Sequence, residues 1–269
     1  MERLHVLGTG NAMVTQCFNT CFVLENENGA LLVDCGGGNG ILRQLKAAGF
    51  DPASIHSIFL THEHCDHLTG IVWMVRAIAT AMNKGKYEGN LDIYCHVGLE
   101  PMVRAMCGFM LQKKMTVHFD ERIRFHIVTD GQSRQILGRT FTFFDIRSTK
   151  APQFAFAAQL TCGRLAFMGD EPVNPACEEL ARNADYLLSE AFCLSAEADR
   201  FKPYEKHHST AADAAQLASR LGARALVLWH TEESDLAHRK VRYTQEAAQY
   251  FRGEIYVPDD LDVIELTAN

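Results

Sequence analysis

Residues 61–67 read Thr61-His62-Glu63-His64-Cys65-Asp66-His67, and this stretch decides the reading of the chain. It places three imidazoles and the Asp66 carboxylate within six residues. It follows Ser57-Ile58-Phe59-Leu60, an apolar run of strand length. Imidazole and carboxylate together suit zinc, iron or manganese. His62 and His64 alternate with Glu63, so an extended loop can turn both rings toward one ion. Asp66 and His67 are then left to face a second. A polar surface loop is the bland alternative, and the density of donors weighs against it.

Further ligands must come from distant parts of the chain, where other buried strands end. Asp170 follows Leu165-Ala166-Phe167-Met168-Gly169, and His230 follows Ala225-Leu226-Val227-Leu228-Trp229. Alone, each would read as a structural turn residue; beside the cluster, each reads as a ligand. The surrounding pattern predicts strands over 4–7, 21–25, 30–33, 57–60, 91–97, 186–189, 225–229 and 261–266, with three strand-like runs over 123–146. It predicts a hairpin from Phe154–Leu160 and Arg164–Met168 around Thr161-Cys162-Gly163. Helices are expected near 41–48, 68–82, 99–111, 210–221 and 241–251. Gly49 and Gly222 stand at two of the helix ends. Strands come first as a group and then mix with helices, which fits a sheet-on-sheet core with helices outside. No repeat, low-complexity stretch or linker divides residues 1–269, so a single domain is expected.

Apolar residues make up 47% of the chain, enough for a sizeable core, and no run approaches the length of a membrane span. The start, Met1-Glu2-Arg3-Leu4-His5, lacks a basic head followed by an apolar run, so no signal peptide is expected. Several of the nine cysteines, among them Cys21, Cys35, Cys95 and Cys193, sit in apolar runs. They read as reduced, buried thiols of a cytoplasmic protein rather than metal ligands. The net charge is −7, and no Lys/Arg run offers a basic face for a long polyanion. Gly8-Thr9-Gly10 and Gly36-Gly37-Gly38-Asn39-Gly40 complete neither dinucleotide nor Walker spacing, and read as tight turns beside the metal edge.

The HxHxDH loop of His62, His64, Asp66 and His67 resembles the metallo-β-lactamase superfamily. Leu7-Gly8-Thr9-Gly10, Asn19-Thr20-Cys21, Leu32-Val33-Asp34-Cys35-Gly36, Gly169-Asp170 and His208-Ser209-Thr210 are similar to its ribonuclease Z branch. The resemblance implies an α/β fold, the αβ/βα four-layer sandwich, with two divalent metal ions at one edge, zinc first and manganese or iron as alternatives. By that resemblance His62 and His64 hold the first ion, Asp66, His67 and His230 the second, and Asp170 bridges both. Asp66 also orients the attacking water, His208 is the general acid, and Asp34 supports a ligand histidine. His207 matches nothing and is left to solvent. A homodimer is expected by analogy with the branch.

Two departures matter. The branch supplies a third histidine to the first ion shortly before the hairpin, but residues 144–152 read Phe144-Asp145-Ile146-Arg147-Ser148-Thr149-Lys150-Ala151-Pro152. The first site is therefore expected to be partly occupied, and Arg147 or Lys150 to hold a substrate phosphate. His118 and His126 are weaker substitutes. The long tRNA-binding arm of the bacterial enzymes is also missing. A phosphodiesterase acting on a small phosphodiester or short nucleic acid follows, with no membrane partner. The alternatives are a lactone, ester or thioester hydrolase on the same scaffold, or a non-catalytic binding protein with a degenerate first site.

Overall fold

The structure is a computed structural model and describes residues 2–268. Strands β1 (Glu2–Gly8), β2 (Cys21–Asn26), β3 (Gly29–Val33), β4 (Ser57–Phe59), β5 (Leu91–Cys95) and β6 (Ile123–Ile127) build a first sheet. A second holds β7 (Ser133–Ile136), β8 (Arg139–Asp145), β9 (Phe154–Leu160), β10 (Gly163–Phe167), β11 (Tyr186–Glu190), β12 (Ala225–Trp229) and β13 (Glu254–Tyr256). The last strand, β14 (Val263–Leu266), returns to the first sheet and pairs antiparallel with β1. The two sheets share a pairing scheme. In the first, β1, β2 and β3 are antiparallel, and β3 through β6 run parallel. In the second, β7 through β10 are antiparallel, and β10 through β13 run parallel.

Alternation along the strands explains the layering, because a strand sends successive side chains to opposite faces. In β2, Phe22 and Leu24 join the core between the sheets, whereas Cys21 and Val23 face the helices packed on the first sheet. The inter-sheet core is aromatic: Phe22 lies 5.0 Å from Trp229 and 5.2 Å from Phe167, and Phe59 lies 4.9 Å from Phe143. Helices Gly40–Ala47, Ile71–Asn83 and Leu99–Met110 cover the outer face of the first sheet. Helices Ala211–Leu221 and Leu236–Ala247 cover that of the second. The result is the expected four-layer α/β sandwich.

Local signals hold where they are short-range. The helix over Ala211–Leu221 opens on a Thr210–Asp213 capping box and stops at Gly222, whose φ is 69°. The expected helix over 241–251 instead spans Leu236–Ala247. Its first turn is held by Asp235, which accepts from His238 Nδ1 at 2.8 Å and from Arg242 at 3.0 Å. Its tail turns away because Phe251 is buried and a Cβ on Gly253 would meet the carbonyl of Arg224. No arm interrupts the β9–β10 hairpin.

Candidate metal centre

The donors stand at the carboxyl ends of parallel strands, where α/β sheets place their ligands. Asp34 follows β3, His62 and His64 follow β4, Asp170 lies beyond β10, and His230 directly follows β12. Asp66 and His67 sit on the one-turn helix Cys65–Leu68. That helix is docked by a hydrogen bond from Cys35 N to His67 O at 2.9 Å. Gly70, at its end, lies so close to Cys35 that a Cβ would meet the Cys35 carbonyl at 1.9 Å. Asp34 and His230 both adopt positive φ, 57° and 56°. Such conformations at polar residues cluster at functional sites.

Asp34 sets the proton positions of two rings. Its Oδ1 accepts Thr61 N at 2.9 Å, and its Oδ2 accepts Thr61 Oγ1 and His67 Nδ1, both at 2.8 Å. Thr61 Oγ1, having donated to Asp34, accepts from His62 Nδ1 at 2.8 Å. Both histidines are thereby protonated at Nδ1 and turn Nε2 inward as a lone pair, the arrangement that second-shell carboxylates impose on metal-bound histidines.

Those inward nitrogens meet two carboxylates. Asp170 Oδ2 lies 3.5 Å from His62 Nε2, 3.5 Å from His67 Nε2 and 3.7 Å from His230 Nε2. Asp66 Oδ2 lies 3.3 Å from His67 Nε2 and 3.8 Å from His230 Nε2. His64 Nδ1 is 2.9 Å from His62 Nε2. The Nε2 atoms of His67 and His230 are buried and have no hydrogen-bond partner, a costly state for an imidazole. Donors about 2.1 Å from a tetrahedral ion sit roughly 3.4 Å apart. Orphaned donors at that spacing fit a cation between them.

The electrostatics agree. Burial alone would raise the Asp66 carboxyl, but His230 and His67 outweigh it and hold it well below the usual carboxylate range. Asp170 is depressed too, its burial overcome chiefly by the charge of His62. Burial lowers His230, and burial with the His62 charge lowers His64. His67 is the exception: burial opposes its charge, yet the hydrogen bond to Asp34 and the neighbouring Asp66 carboxylate raise its pKa well above the ordinary value. The carboxylates that favour positive charge on His67 favour a metal cation there too, whose binding requires the ring to be deprotonated.

Beside the cluster opens a cavity of about 770 Å³, lined by His64, Asp66, Asp170, His208, His230 and Lys150 together with Met13, Val14, Phe192, Phe201 and Lys206. His208 stacks on Phe192 at 5.0 Å and lies 5.2 Å from the His230 ring. Its Nδ1 faces Glu190 Oε2 at 3.5 Å. Glu190 is fully buried, and its other oxygen is held by the N–H and Oγ of Ser209.

Arg147 is not brought to the cavity. Its guanidinium is taken up by Asp130 at 2.5 Å and Asp145 at 3.3 Å, and its φ of 63° turns the chain away. His118 pairs with Asn83 and His126 with Asp92, each outside the cluster. His207 is exposed, 3.4 Å from Thr149 Oγ1. Two residues were not singled out in the sequence. Glu190 ends β11, and the strand had been expected to stop at Ser189; an acid closing an apolar strand is the cue that found Asp170. Gln153 donates to Asp170 Oδ1 at 2.5 Å, which leaves Asp170 Oδ2 for the cluster; no local pattern marks it.

The family model described as the beta-lactamase superfamily domain matches residues 30–231. The chain belongs to that superfamily. Within it, the ribonuclease Z-like branch accounts for the likeness to curated relatives. Ribonuclease Z of Methanothermobacter thermautotrophicus is 26% identical over 100% of this chain and 98% of its own. Ribonuclease Z of Mycobacterium marinum is 26% identical over 100% of both chains. Among solved structures, the metallo-β-lactamase fold protein YhfI of Bacillus subtilis superposes with a TM-score of 0.78 at 20% identity, covering 98% of each chain. The short form of human tRNase Z gives 0.70 at 23% identity, covering 98% of this chain and 99% of its own. The superfamily chain is a metal-dependent hydrolase, and its His/Asp clusters suit divalent metal. Among the described residues, no helix is long and apolar enough to cross a membrane.

Proposed function

We propose that this chain hydrolyses phosphodiester bonds in compact substrates, a small phosphodiester or short nucleic acid, at a zinc-type centre built from His62, His64, Asp66, His67, Asp170 and His230. The observation that carries the reading is the Glu190–His208 pair beside His230, on the cavity side of the donors. Divalent metal, when bound there, makes water acidic enough to attack near neutral pH and neutralises charge on the phosphoryl oxygens.

The chain's own groups do the rest. Asp66, with Oδ2 committed to the His67 and His230 side, offers its other oxygen to orient the attacking water. As the water oxygen bonds to phosphorus, the bond to the leaving oxygen breaks, and that oxygen must gain a proton to depart as an alcohol. His208 supplies it. Its Nδ1 faces Glu190, leaving Nε2 for the leaving oxygen. Phe192 packs against the ring and fixes its plane. Two features favour a compact substrate: the acidic net charge of −7 and the uninterrupted β9–β10 hairpin. The curated relatives named ribonuclease Z, found over nearly the whole chain, support the nucleic-acid side of the reading.

The test is hydrolysis of bis(4-nitrophenyl) phosphate set against a lactone and thioester panel, with metal removed and restored. Metal-dependent cleavage of the diester, with the panel slower, supports the reading; the reverse order overturns it. His208→Ala should slow an alkyl diester by ~10²–10⁴-fold. It should slow a 4-nitrophenyl diester far less, because 4-nitrophenolate departs without a proton. Equal losses on both substrates would remove His208 from the acid role.

A further inference from the structure

The two ion positions are unequally furnished. At the second, Asp66, His67, His230 and the shared Asp170 Oδ2 converge. At the first, His62 Nε2 lies 3.5 Å from that same shared oxygen, and His64 Nδ1, the other donor the resemblance implies, lies 2.9 Å from His62 Nε2. Residues 144–152 contribute no imidazole. They contribute Lys150, whose side chain lines the cavity with His64 and Asp170.

Lys150 is held in place rather than trailing in solvent. Its Nζ lies 3.2 Å from Glu171 Oε1 and donates to Lys206 O at 3.2 Å. Glu171 is buried, and the same oxygen is pinned by Ser148 Oγ at 2.8 Å. An ammonium has three N–H donors. Two are spoken for, and the third is available at the cavity wall. Arg147, the other cation of this segment, is consumed by Asp130 and Asp145.

We propose that the centre works with one tightly held ion, at the second position, and that the Lys150 ammonium supplies positive charge at the incomplete first position by gripping a non-bridging phosphoryl oxygen. The proposal rests on the phosphodiesterase reading. It makes Lys150 a residue of substrate recognition and explains how a centre short of one ligand still meets a phosphodiester with two positive groups.

The experiment starts with metal content, measured by elemental mass spectrometry on the full chain purified without added metal and dialysed. About one ion per chain is expected, with a second bound at least ~100-fold more weakly in a zinc titration. Lys150→Met should keep that content while weakening binding of dimethyl phosphate, a diester probe that is not turned over, by about tenfold or more. Lys150→Arg should recover part of the loss. Lys150→His should raise the tightly held metal toward two. Two tightly held ions in the parent overturn the proposal. So does dimethyl phosphate binding that is absent in the parent or unchanged in Lys150→Met. Failure of the underlying reading shows separately, as a parent that holds metal yet leaves bis(4-nitrophenyl) phosphate intact.

Discussion

Replacing Asp34 by Asn tests the wiring of the centre without touching any donor to the ion. Asn keeps the size of the side chain and tolerates the positive φ of 57° at this position. It cannot keep the hydrogen bonds. The carboxylate accepts three donors: Thr61 N on Oδ1, and Thr61 Oγ1 and His67 Nδ1 on Oδ2. An amide with its oxygen toward Thr61 N turns an NH₂ against His67 Nδ1. That forces the ring proton onto Nε2, the nitrogen facing Asp66 and Asp170. The flipped amide instead opposes the Thr61 N–H with another donor. Either way a buried donor is left unmatched, at a cost of about 1–3 kcal/mol. For a domain of this size that lowers the Tm of the metal-free form by about 2–5 °C. Loss of such an outer carboxylate typically weakens metal binding by ~10–100-fold, or about 1.4–2.7 kcal/mol. The assay is competition for zinc against a chromophoric chelator near neutral pH, paired with thermal melts of metal-free protein. A zinc Kd within about threefold of the parent, under ~0.7 kcal/mol, would refute the claim that Asp34 fixes the tautomer of His67.

Three further outcomes are expected. Chelation should lower Tm and restored zinc should recover it, because the cation satisfies the orphaned Nε2 atoms of His67 and His230; melts with and without chelator read this, and identical curves count against a built site. Glu2 is buried at the start of β1, and although burial raises its pKa, Thr161 N–H and the Arg139 guanidinium bring it below the ordinary 4.5. A carboxyl with a depressed folded pKa contributes stability that is present above the unfolded value and lost as pH falls through the folded one. Glu2→Gln should therefore narrow the stability difference from the parent in acid, below that 4.5, and leave it full near neutrality; denaturant melts across that range decide it. Finally, all nine cysteines are free and Cys65 alone is exposed, while burial pushes the thiols of Cys95 and Cys107 up to about 12. Native thiol titration should read one fast group, lost in Cys65→Ser, and several fast groups would contradict the packing.

How much the sequence reveals depends on how local each signal is. His62, His64, Asp66 and His67 are legible because one short loop carries them all. Asp170 and His230 are legible for a different reason: each is a polar residue at the end of an apolar run, where the sheet stops burying side chains on both faces. Glu190 obeys the same rule, but β11 runs one residue further than its apolar pattern, which hides it. Arg239 shows the limit. It reads as one more charge on an amphipathic helix, yet it is buried and bonds Thr9, Thr231, Pro258 and Asp259 from three separate loops. Nothing within the helix announces partners so distant in sequence. Arg147 failed in the opposite direction, because its placement depends on Asp130, a residue on the turn before β7.

The shared pairing scheme of the two sheets explains why the donors meet at all. Each sheet switches from antiparallel to parallel pairing partway across, at β3 in the first and β10 in the second. Parallel strands end at a common edge, so the first sheet delivers Asp34, His62 and His64 there, and the second delivers Asp170, Glu190 and His230. Packed sheets stand roughly 10 Å apart, close enough for side chains from both to share one ion. Phe22 and Phe167, from opposite sheets, lie 5.2 Å apart and line the same small cavity as Asp34, His67 and Asp170. Charged donors are thus set on an apolar floor, where the attraction between a cation and two carboxylates is screened far less than in water. A cation bound there would tie the two sheets together. The same floor makes unpaired donors costly, which is why so many groups here converge on a single point.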